Sequence, residues 1–262
     1  MNRATVDDGC RIAWRMDGPE GAPVLMLAHA LGASSAMWGP QVEAFSGTFR
    51  VLRYDARGHG ASDVPAGPYT IERLGRDALG LLDALGLGGE KVVFCGLSMG
   101  GFVGQWLGAN APERLEKLIL ANTSAYMGPP EGWRDRIETV TREGMAAVTE
   151  ATLARWFTAD FRDRAPEAVD AIRKLLLATS PQGFAGCAGA IAGMDLRGSL
   201  AAISVPTLII GNRQDPSTTL AHAEALHAAI PGSQLAVLPA AHLANIEAAE
   251  PFNAAIRAFV CG

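Results

Sequence analysis

Cysteine is scarce in this sequence: its 262 residues include four, and no two of them form a C-x-x-C pair. They lie far apart along the chain, at Cys10, Cys95, Cys187 and Cys261. Thiolate metal sites use closely spaced cysteines, and disulfide-stabilised domains are rich in cysteine. Neither interpretation is favoured, and we expect no metal and no other cofactor.

Long apolar runs are also missing. No stretch approaches the roughly 18 consecutive apolar residues that a transmembrane helix needs. Residues 1–16 carry charged side chains, among them Asp7 and Arg15, where a signal peptide would have its apolar segment. We therefore expect no membrane segment and a cytoplasmic location.

An excess of one charge is absent as well. Lys and Arg number 22 against 27 for Asp and Glu, and the formal net charge of −5 argues against a nucleic-acid partner. Apolar residues make up 49% and charged residues 19%, a balance typical of soluble enzymes rather than of disordered chains. We expect a small-molecule substrate, and the sequence leaves homo-oligomerisation open.

Eight short apolar stretches have the length and composition of strands. They cover residues 4–7, 11–16, 24–28, 49–54, 91–95, 115–121, 206–211 and 234–238. Helical stretches lie between many of them, at 37–45, 70–85, 99–110, 218–230 and 247–260. This alternation indicates βαβ units, so we predict an α/β fold with a mostly parallel eight-stranded sheet and helices on both faces.

Residues 129–195 interrupt the alternation with helical stretches alone. The stretches cover 131–144, 145–157, 166–179 and 181–194. A helical insertion after the sixth strand is most simply a cap over the active edge of the sheet. We therefore predict an α/β core of residues 1–124 and 196–262 and a helical cap of residues 125–195.

Residues Gly96-Leu97-Ser98-Met99-Gly100 form a G-x-S-x-G motif between a predicted strand and a predicted helix. In that context the motif is typical of a nucleophile elbow, a sharp turn with a serine at its apex. Small neighbours are needed because the serine is strained and the helix packs closely on the strand. The motif alone fits a plain Gly-Ser turn equally well, so the rest of the chain decides.

A serine nucleophile needs an adjacent base that a third group orients. Asp215 follows the predicted strand 206–211, and His242 follows the predicted strand 234–238. Both fall at the carboxyl edge of the sheet, where open α/β sheets place their sites. We therefore predict a catalytic triad of Ser98, Asp215 and His242, against the alternative of a turn aspartate and a surface histidine.

The tetrahedral oxyanion of acyl transfer also needs hydrogen-bond donors. Met99 N–H follows the nucleophile at a helix N-terminus, where the helix dipole favours negative charge. The second donor should come from the loop after strand 24–28, and we predict Leu31 N–H, with Ala30 as the alternative. His29 is expected to support that loop.

Other polar residues have two interpretations each. Asp55, Arg57 and His59 follow another strand, and we expect them to brace the loop below the nucleophile. Five cap residues are candidates for lining a substrate cavity: Trp133, Arg134, Arg136, Trp156 and Phe157. The arginines fit a solvated helix face equally well, or one of them could meet a substrate carboxylate.

With these residues placed, the chain resembles the α/β-hydrolase superfamily over its whole length, and within it the 3-oxoadipate enol-lactonases. Six segments carry the resemblance: Tyr54-Asp55-x-Arg57-Gly58-His59-Gly60-x-Ser62, Cys95 to Gly101, Trp133-x-x-Arg136-Ile137, Arg155-Trp156-Phe157-Thr158, Met194-Asp195-Leu196-Arg197, and Ala241-His242-Leu243-Ala244-Asn245-Ile246-Glu247. The cap segments and the segment after the histidine are the more specific ones. The resemblance implies a metal-free hydrolase that opens a five-membered enol-lactone to a 3-oxo dicarboxylate.

Two positions differ from the enol-lactonase pattern. The oxyanion loop reads His29-Ala30-Leu31-Gly32, where those lactonases usually have Asn-Ser-Leu-Gly. Ala192-Gly193 stands where they tend to carry Arg-Asp. If that arginine binds the substrate carboxylate, its loss favours a neutral lactone or an ordinary ester.

Several alternatives therefore remain open. A carboxylesterase, a carbon–carbon bond hydrolase and a cofactor-free perhydrolase would use the same triad. Haloalkane dehalogenases and epoxide hydrolases are disfavoured, because their elbows carry an aspartate where Ser98 stands. A ligand-binding module on a hydrolase scaffold is the alternative from another class, and the complete triad argues against it.

Overall fold

The computed structural model describes residues 1–261, without the side chain of Cys261; Gly262, the last residue of the predicted core, lies outside the described residues. The strands are β1 (Asn2–Thr5), β2 (Arg11–Asp17), β3 (Val24–Ala28), β4 (Arg50–Tyr54), β5 (Val92–Leu97), β6 (Leu115–Ala121), β7 (Thr207–Asn212) and β8 (Gln234–Leu238). The α-helices are α1 (Gly39–Phe45), α2 (Ile71–Ala84), α3 (Met99–Asn110), α4 (Glu131–Glu143), α5 (Ala146–Trp156), α6 (Ala159–Arg164), α7 (Pro166–Ala178), α8 (Pro181–Ala192), α9 (Leu220–Ala229), α10 (Ala244–Glu247) and α11 (Ala249–Cys261). Three short 3₁₀ helices cover Ser35–Trp38, Pro112–Arg114 and Arg197–Ala202.

The eight strands form one sheet in the order β1-β2-β4-β3-β5-β6-β7-β8. β2 pairs antiparallel with β1 and with β4, and every other pair is parallel. All residues of β3, β5 and β7 are buried, as their largely apolar sequences require in a sheet covered on both faces. The predicted α/β-hydrolase fold is confirmed.

The first strand of the N-terminal hairpin lies earlier in the chain than predicted. β1 ends at Thr5, whereas the sequence predicted a strand over residues 4–7. Val6 N–H donates to Cys10 O at 2.9 Å and Gly9 N–H donates to Val6 O at 2.9 Å. These bonds close a wider turn around the Asp8-Gly9 pair, so Val6 and Asp7 are not part of the strand.

The insertion after β6 consists of five helices, α4 to α8, of which the sequence predicted four. The missed helix, α6, has six residues, too few to show a periodic apolar face. The Thr158 hydroxyl starts it by accepting from Phe161 N at 3.2 Å, and the Phe161 ring stacks on Phe157 at 5.2 Å. A side-chain cap and a ring contact across one helical turn therefore hold this short helix.

The two ends of the insertion meet at an isolated antiparallel bridge between Tyr126 and Asp195. A single bridge next to the sheet is the geometry of an insertion that leaves the core and returns at one place. It supports the division into a core and a cap of residues 125–195, which we retain as a proposal.

The C-terminal helix is divided. The sequence predicted one helix over 247–260, whereas α10 ends at Glu247 and α11 begins at Ala249. Pro251 has no N–H to donate and so favours the first turn of a helix, which places the start of α11 just before it. Glu247 thus belongs to the short helix that follows His242.

Across residues 1–261, no single helix is long and apolar enough to cross a membrane. The pair Pro166–Ala178 and Pro181–Ala192, bent by 94°, passes that test jointly, by length and composition only.

Candidate active site

Ser98 joins β5 to α3 in a backbone conformation that L-residues rarely adopt, with φ 55° and ψ −111°. The surrounding glycines allow this turn. A Cβ on Gly96 would lie 2.0 Å from Gly100 O, and a Cβ on Gly100 would lie 2.1 Å from Ala28 O. Close packing of strand, turn and helix therefore holds the strained serine in place.

Asp215 and His242 form a buried pair at the ends of neighbouring strands. His242 Nδ1 lies 2.7 Å from Asp215 Oδ2. The same oxygen accepts from Thr218 Oγ1 at 2.7 Å and from Asn122 Nδ2 at 3.0 Å, while Oδ1 accepts from Ser217 N at 2.7 Å. Because an ionised carboxylate only accepts, the proton of a neutral His242 ring lies on Nδ1, which leaves Nε2 as an acceptor.

The carboxylate of Asp215 is ionised. Burial raises its pKa, but the charge and the hydrogen bond of His242 and the hydrogen bonds from Thr218 outweigh that effect. The resulting pKa is about 2. A fixed negative charge therefore faces the Nδ1 side of the imidazole.

A cavity of about 360 Å³ lies between the carboxyl edge of the sheet and the cap. Ser98 and His242 both line it, so the structure brings the predicted nucleophile and base to one space. The lining residues are Leu31, Ser98, Phe102, Met127, Gly128, Pro129, Gly132, Trp133, Arg136, Arg155, Trp156, Ile191, Ser217, Thr218 and His242.

Three of the five predicted cap residues, Trp133, Arg136 and Trp156, line this cavity. Arg134 does not, which corrects our prediction: its side chain is 70% exposed and pairs with Glu131 at 3.6 Å. Residues 133 and 136 share one face of α4, whereas residue 134 is rotated by about 100° from residue 133. Phe157 is also corrected, because it packs inside the cap instead of against the cavity.

Arg155 is a cavity residue that sequence reasoning missed. Thr152 lies between Arg155 and Arg136. Its hydroxyl accepts from Arg136 Nη2 at 2.9 Å and from Arg155 Nη2 at 3.4 Å. Within residues 1–261, neither guanidinium has a carboxylate within 4.0 Å. Helical spacing places residues 152, 155 and 156 on one helix face, and this was the sequence signal for Arg155. No local pattern relates that face to Arg136.

The electrostatics of the arginine pair are unusual for a cap surface. Burial, and next the charge of Arg155, lower the pKa of Arg136 to about 10. Burial also lowers the pKa of Arg155. The Arg136 guanidinium lies 5.1 Å from the centre of the Phe184 ring and 5.7 Å from that of Trp133, and its Nε is buried without a partner. Two partly desolvated cations therefore face the cavity.

The predicted oxyanion donors lie beside Ser98. Leu31 lines the cavity, and Met99 begins α3. Among residues 1–261, neither backbone N–H has an acceptor. The loop before Leu31 is fixed because His29 O accepts from Gly100 N at 3.2 Å and His29 Nε2 accepts from Ala56 N at 2.9 Å. His29 thus supports the loop, as expected.

The segment after β4 acts as a brace. Asp55 Oδ1 accepts from Ser35 N at 2.8 Å, and His59 Nε2 accepts from Gly32 N at 2.9 Å. Arg57 binds Asp77 through two nitrogens, each at 2.5 Å. Burial and the nearby His29 lower the pKa of His59 to about 3, so its ring is neutral. None of Asp55, Arg57 and His59 lines the cavity.

One group of carboxylates has the spacing of a metal site. Asp7, Asp8 and Asp77 bring ligand atoms within 4.8 Å of one another. Asp7 binds Arg73, and Asp8 and Asp77 bind Arg57. Guanidinium groups thus already neutralise the acids, and the group lies outside the cavity that holds Ser98.

Several known proteins are similar to this chain over most of its length. A family model described as the alpha/beta hydrolase fold matches residues 23–249. The chain is 40% identical to 3-oxoadipate enol-lactonase 2 of Acinetobacter baylyi over 92% of this chain and 90% of that protein. The crystal structure of the enol-lactonase from Burkholderia xenovorans LB400 superposes over the whole of both chains with a TM-score of 0.97 at 42% identity. A thermophilic esterase from Thermogutta terrifontis, solved with malate bound, has a TM-score of 0.92 at 34% identity over 99% of this chain and 97% of that chain.

Proposed function

The chain belongs to the alpha/beta hydrolase family, and from this premise we propose that it opens 3-oxoadipate enol-lactone to 3-oxoadipate through an acyl-enzyme on Ser98. The coarser statement follows from the relatives themselves: the protein is a hydrolase that acts on carboxylic ester bonds. The proposal adds the residues that carry the reaction and the substrate.

The first half of the reaction uses the groups at the carboxyl edge of the sheet. Ser98 Oγ attacks the lactone carbonyl while His242 Nε2 takes the hydroxyl proton. Asp215 stabilises the imidazolium that forms. The backbone N–H groups of Leu31 and Met99 donate to the oxyanion, and one such donor contributes on the order of 3 kcal/mol to transition-state stabilisation.

The second half releases the product. The ring C–O bond breaks, and the enolate oxygen leaves while the acyl group stays bonded to Ser98. The proton on His242 Nε2 passes to the leaving enolate, which remains tethered to the acyl chain and ketonises, so His242 is neutral again. Water then attacks the acyl carbon, with His242 as the base, and the Ser98 hydroxyl is restored.

The observation that carries the substrate assignment is the pair of half-buried arginines, Arg136 and Arg155, without an ionic partner among residues 1–261. A buried guanidinium with no counter-charge is costly, and a bound carboxylate would offset that cost. Arg136 is already held by Thr152 and two aromatic rings, so little further ordering is needed. An enol-lactone that carries a carboxylate fits this cavity better than a neutral ester, although Ala192 stands where the enol-lactonases tend to have an arginine.

The experiment is a hydrolysis panel with purified protein. The substrates are the enol-lactone, a neutral five-membered lactone and a neutral aryl ester, with Ser98→Ala as the blank. We expect kcat/KM for the enol-lactone to exceed that for the neutral lactone by on the order of 10- to 100-fold, the value of one or two charge-assisted hydrogen bonds. Rapid aryl-ester hydrolysis without enol-lactone turnover would reject the proposal in favour of a carboxylesterase.

A further inference from the structure

Glu247 has no role in the reaction proposed above, yet its carboxylate lies between the His242 loop and the cap. Its Oε2 accepts from Ala241 N, the amide directly before His242, at 3.0 Å. Its Oε1 accepts from the Thr158 hydroxyl and from Thr158 N, the latter at 3.3 Å. One half-buried side chain thus joins the core loop to the turn between α5 and α6.

A second contact joins the same two segments. Leu243 N, the amide directly after His242, donates to Trp156 O at 3.1 Å. The amides on both sides of His242 are therefore bound to cap residues 156–158, one directly and the other through Glu247. The Trp156 ring itself lies 6.1 Å from the His242 ring and lines the cavity.

The donors at this junction favour an acid. Three donors converge on Glu247: the N–H of Ala241 and the N–H and hydroxyl of Thr158. A carboxylate accepts on both oxygens, whereas a glutamine would turn an NH₂ group toward one of these donors. Hydrogen bonds to an ionised acceptor are also the stronger kind.

We propose that Glu247 is a positioning residue for His242, and that it acts by fixing the Ala241 amide to the cap turn at Thr158. The proposal rests on the proposed function, because it takes His242 as the catalytic base. It predicts that cap position and histidine position are coupled: a cap turn that moves away from Glu247 releases one side of the His242 loop.

The test measures how fast a small p-nitrophenyl phosphonate modifies Ser98 in the full-length enzyme. This reaction needs an aligned His242 and does not depend on the cap arginines. The variants are Glu247→Gln, Thr158→Val and the double variant. Glu250→Gln is the control, because Glu250 is an exposed acid three residues away in α11 and its change removes the same charge.

We expect Glu247→Gln to slow the modification by on the order of 10- to 100-fold, as for other small misplacements of catalytic groups. For the enol-lactone, kcat should fall more than KM rises. Thr158→Val should have a smaller effect, the double variant should be no slower than Glu247→Gln, and Thr158→Ser should restore the rate. Glu250→Gln should behave as wild type.

Equal modification rates per folded molecule in Glu247→Gln and Glu250→Gln would overturn the proposal, and so would strictly additive effects of the two changes. Melting curves give the folded fraction for each variant, and Thr158→Val keeps the test decisive if Glu247→Gln does not fold. A wild-type enzyme that is not modified at Ser98 would instead reject the proposed function, on which this inference depends.

Discussion

The two sides of the cavity differ in whether their buried charges have partners of opposite charge or hydrogen-bond donors. On the sheet side, the Asp215 carboxylate has donors on both oxygens and a pKa of about 2, so its charge is fully compensated. On the cap side, Arg136 and Arg155 are partly desolvated cations without a counter-charge among residues 1–261. A compensated site holds its geometry without a ligand, whereas an uncompensated one gains from a ligand of opposite charge. We infer that the sheet side performs the bond chemistry and the cap side selects the substrate.

The largest effect should come from the sheet side. Ser98→Ala removes the nucleophile but none of the charges that face the substrate. We expect kcat to fall on the order of 10⁵-fold or more, with the affinity for a 3-oxo dicarboxylate product unchanged. Stopped-flow turnover and calorimetric titration measure the two quantities separately. Substantial residual turnover would contradict the assignment of Ser98.

Asp215→Asn should rank next. The amide keeps the shape of the side chain, but the N–H groups of Ser217 and Thr218 hold its oxygen at the position of Oδ1, so its NH₂ group faces His242 Nδ1 and disfavours the Nδ1-protonated tautomer. The expected loss in kcat is on the order of 10⁴-fold, again with little change in ligand affinity. Asn122→Ala is the companion variant, because it removes a neutral donor to the same carboxylate; it should cost much less. Equal losses in the two variants would show that Asp215 is merely structural.

Arg136→Met tests the cap side. It should lower kcat/KM for the enol-lactone by on the order of 10- to 100-fold and leave neutral aryl-ester hydrolysis unchanged. Because the guanidinium is buried without an acid, we also expect the melting temperature to stay constant or to rise. Arg134→Met is the matched control on the same helix, since Arg134 is exposed. Equal losses in kcat/KM on charged and neutral substrates would contradict the inference that the cap side selects the substrate.

The smallest expected effect is a loss of folding stability at low pH. Asp215 has a pKa of about 2 in the folded protein against 3.8 for an unperturbed aspartate, so the unfolded chain binds a proton more readily. The stability that this carboxylate contributes is therefore present above pH 4 and is lost as the pH falls toward 2; the shift corresponds to about 2 kcal/mol. Urea unfolding of wild type and Asp215→Asn at pH 5 and pH 2.5 measures it. A difference between the two proteins that does not narrow at the lower pH would contradict this account.

The sequence predicted the structure well wherever the structure follows from local patterns. The helix α3 and the strands β6 and β8 begin and end where the apolar patterns predicted. The spacing of the helices and strands along the chain could not show which helix faces line the cavity. Arg134 and Arg136 are two residues apart and equally polar, and only the packing of α4 on its neighbours places one in solvent and the other in the cavity.

The sequence by itself determined the fold, the serine turn and the chain order of Ser98, Asp215 and His242, because backbone periodicity and small-residue sterics act over a few residues. The tertiary structure alone decided that Arg155 joins Arg136 and that Glu247 reaches Thr158. The first contact depends on how α4 packs on α5 within the cap, and the second on how the cap lies over the sheet edge. They join residues 19 and 89 positions apart, which no local pattern relates.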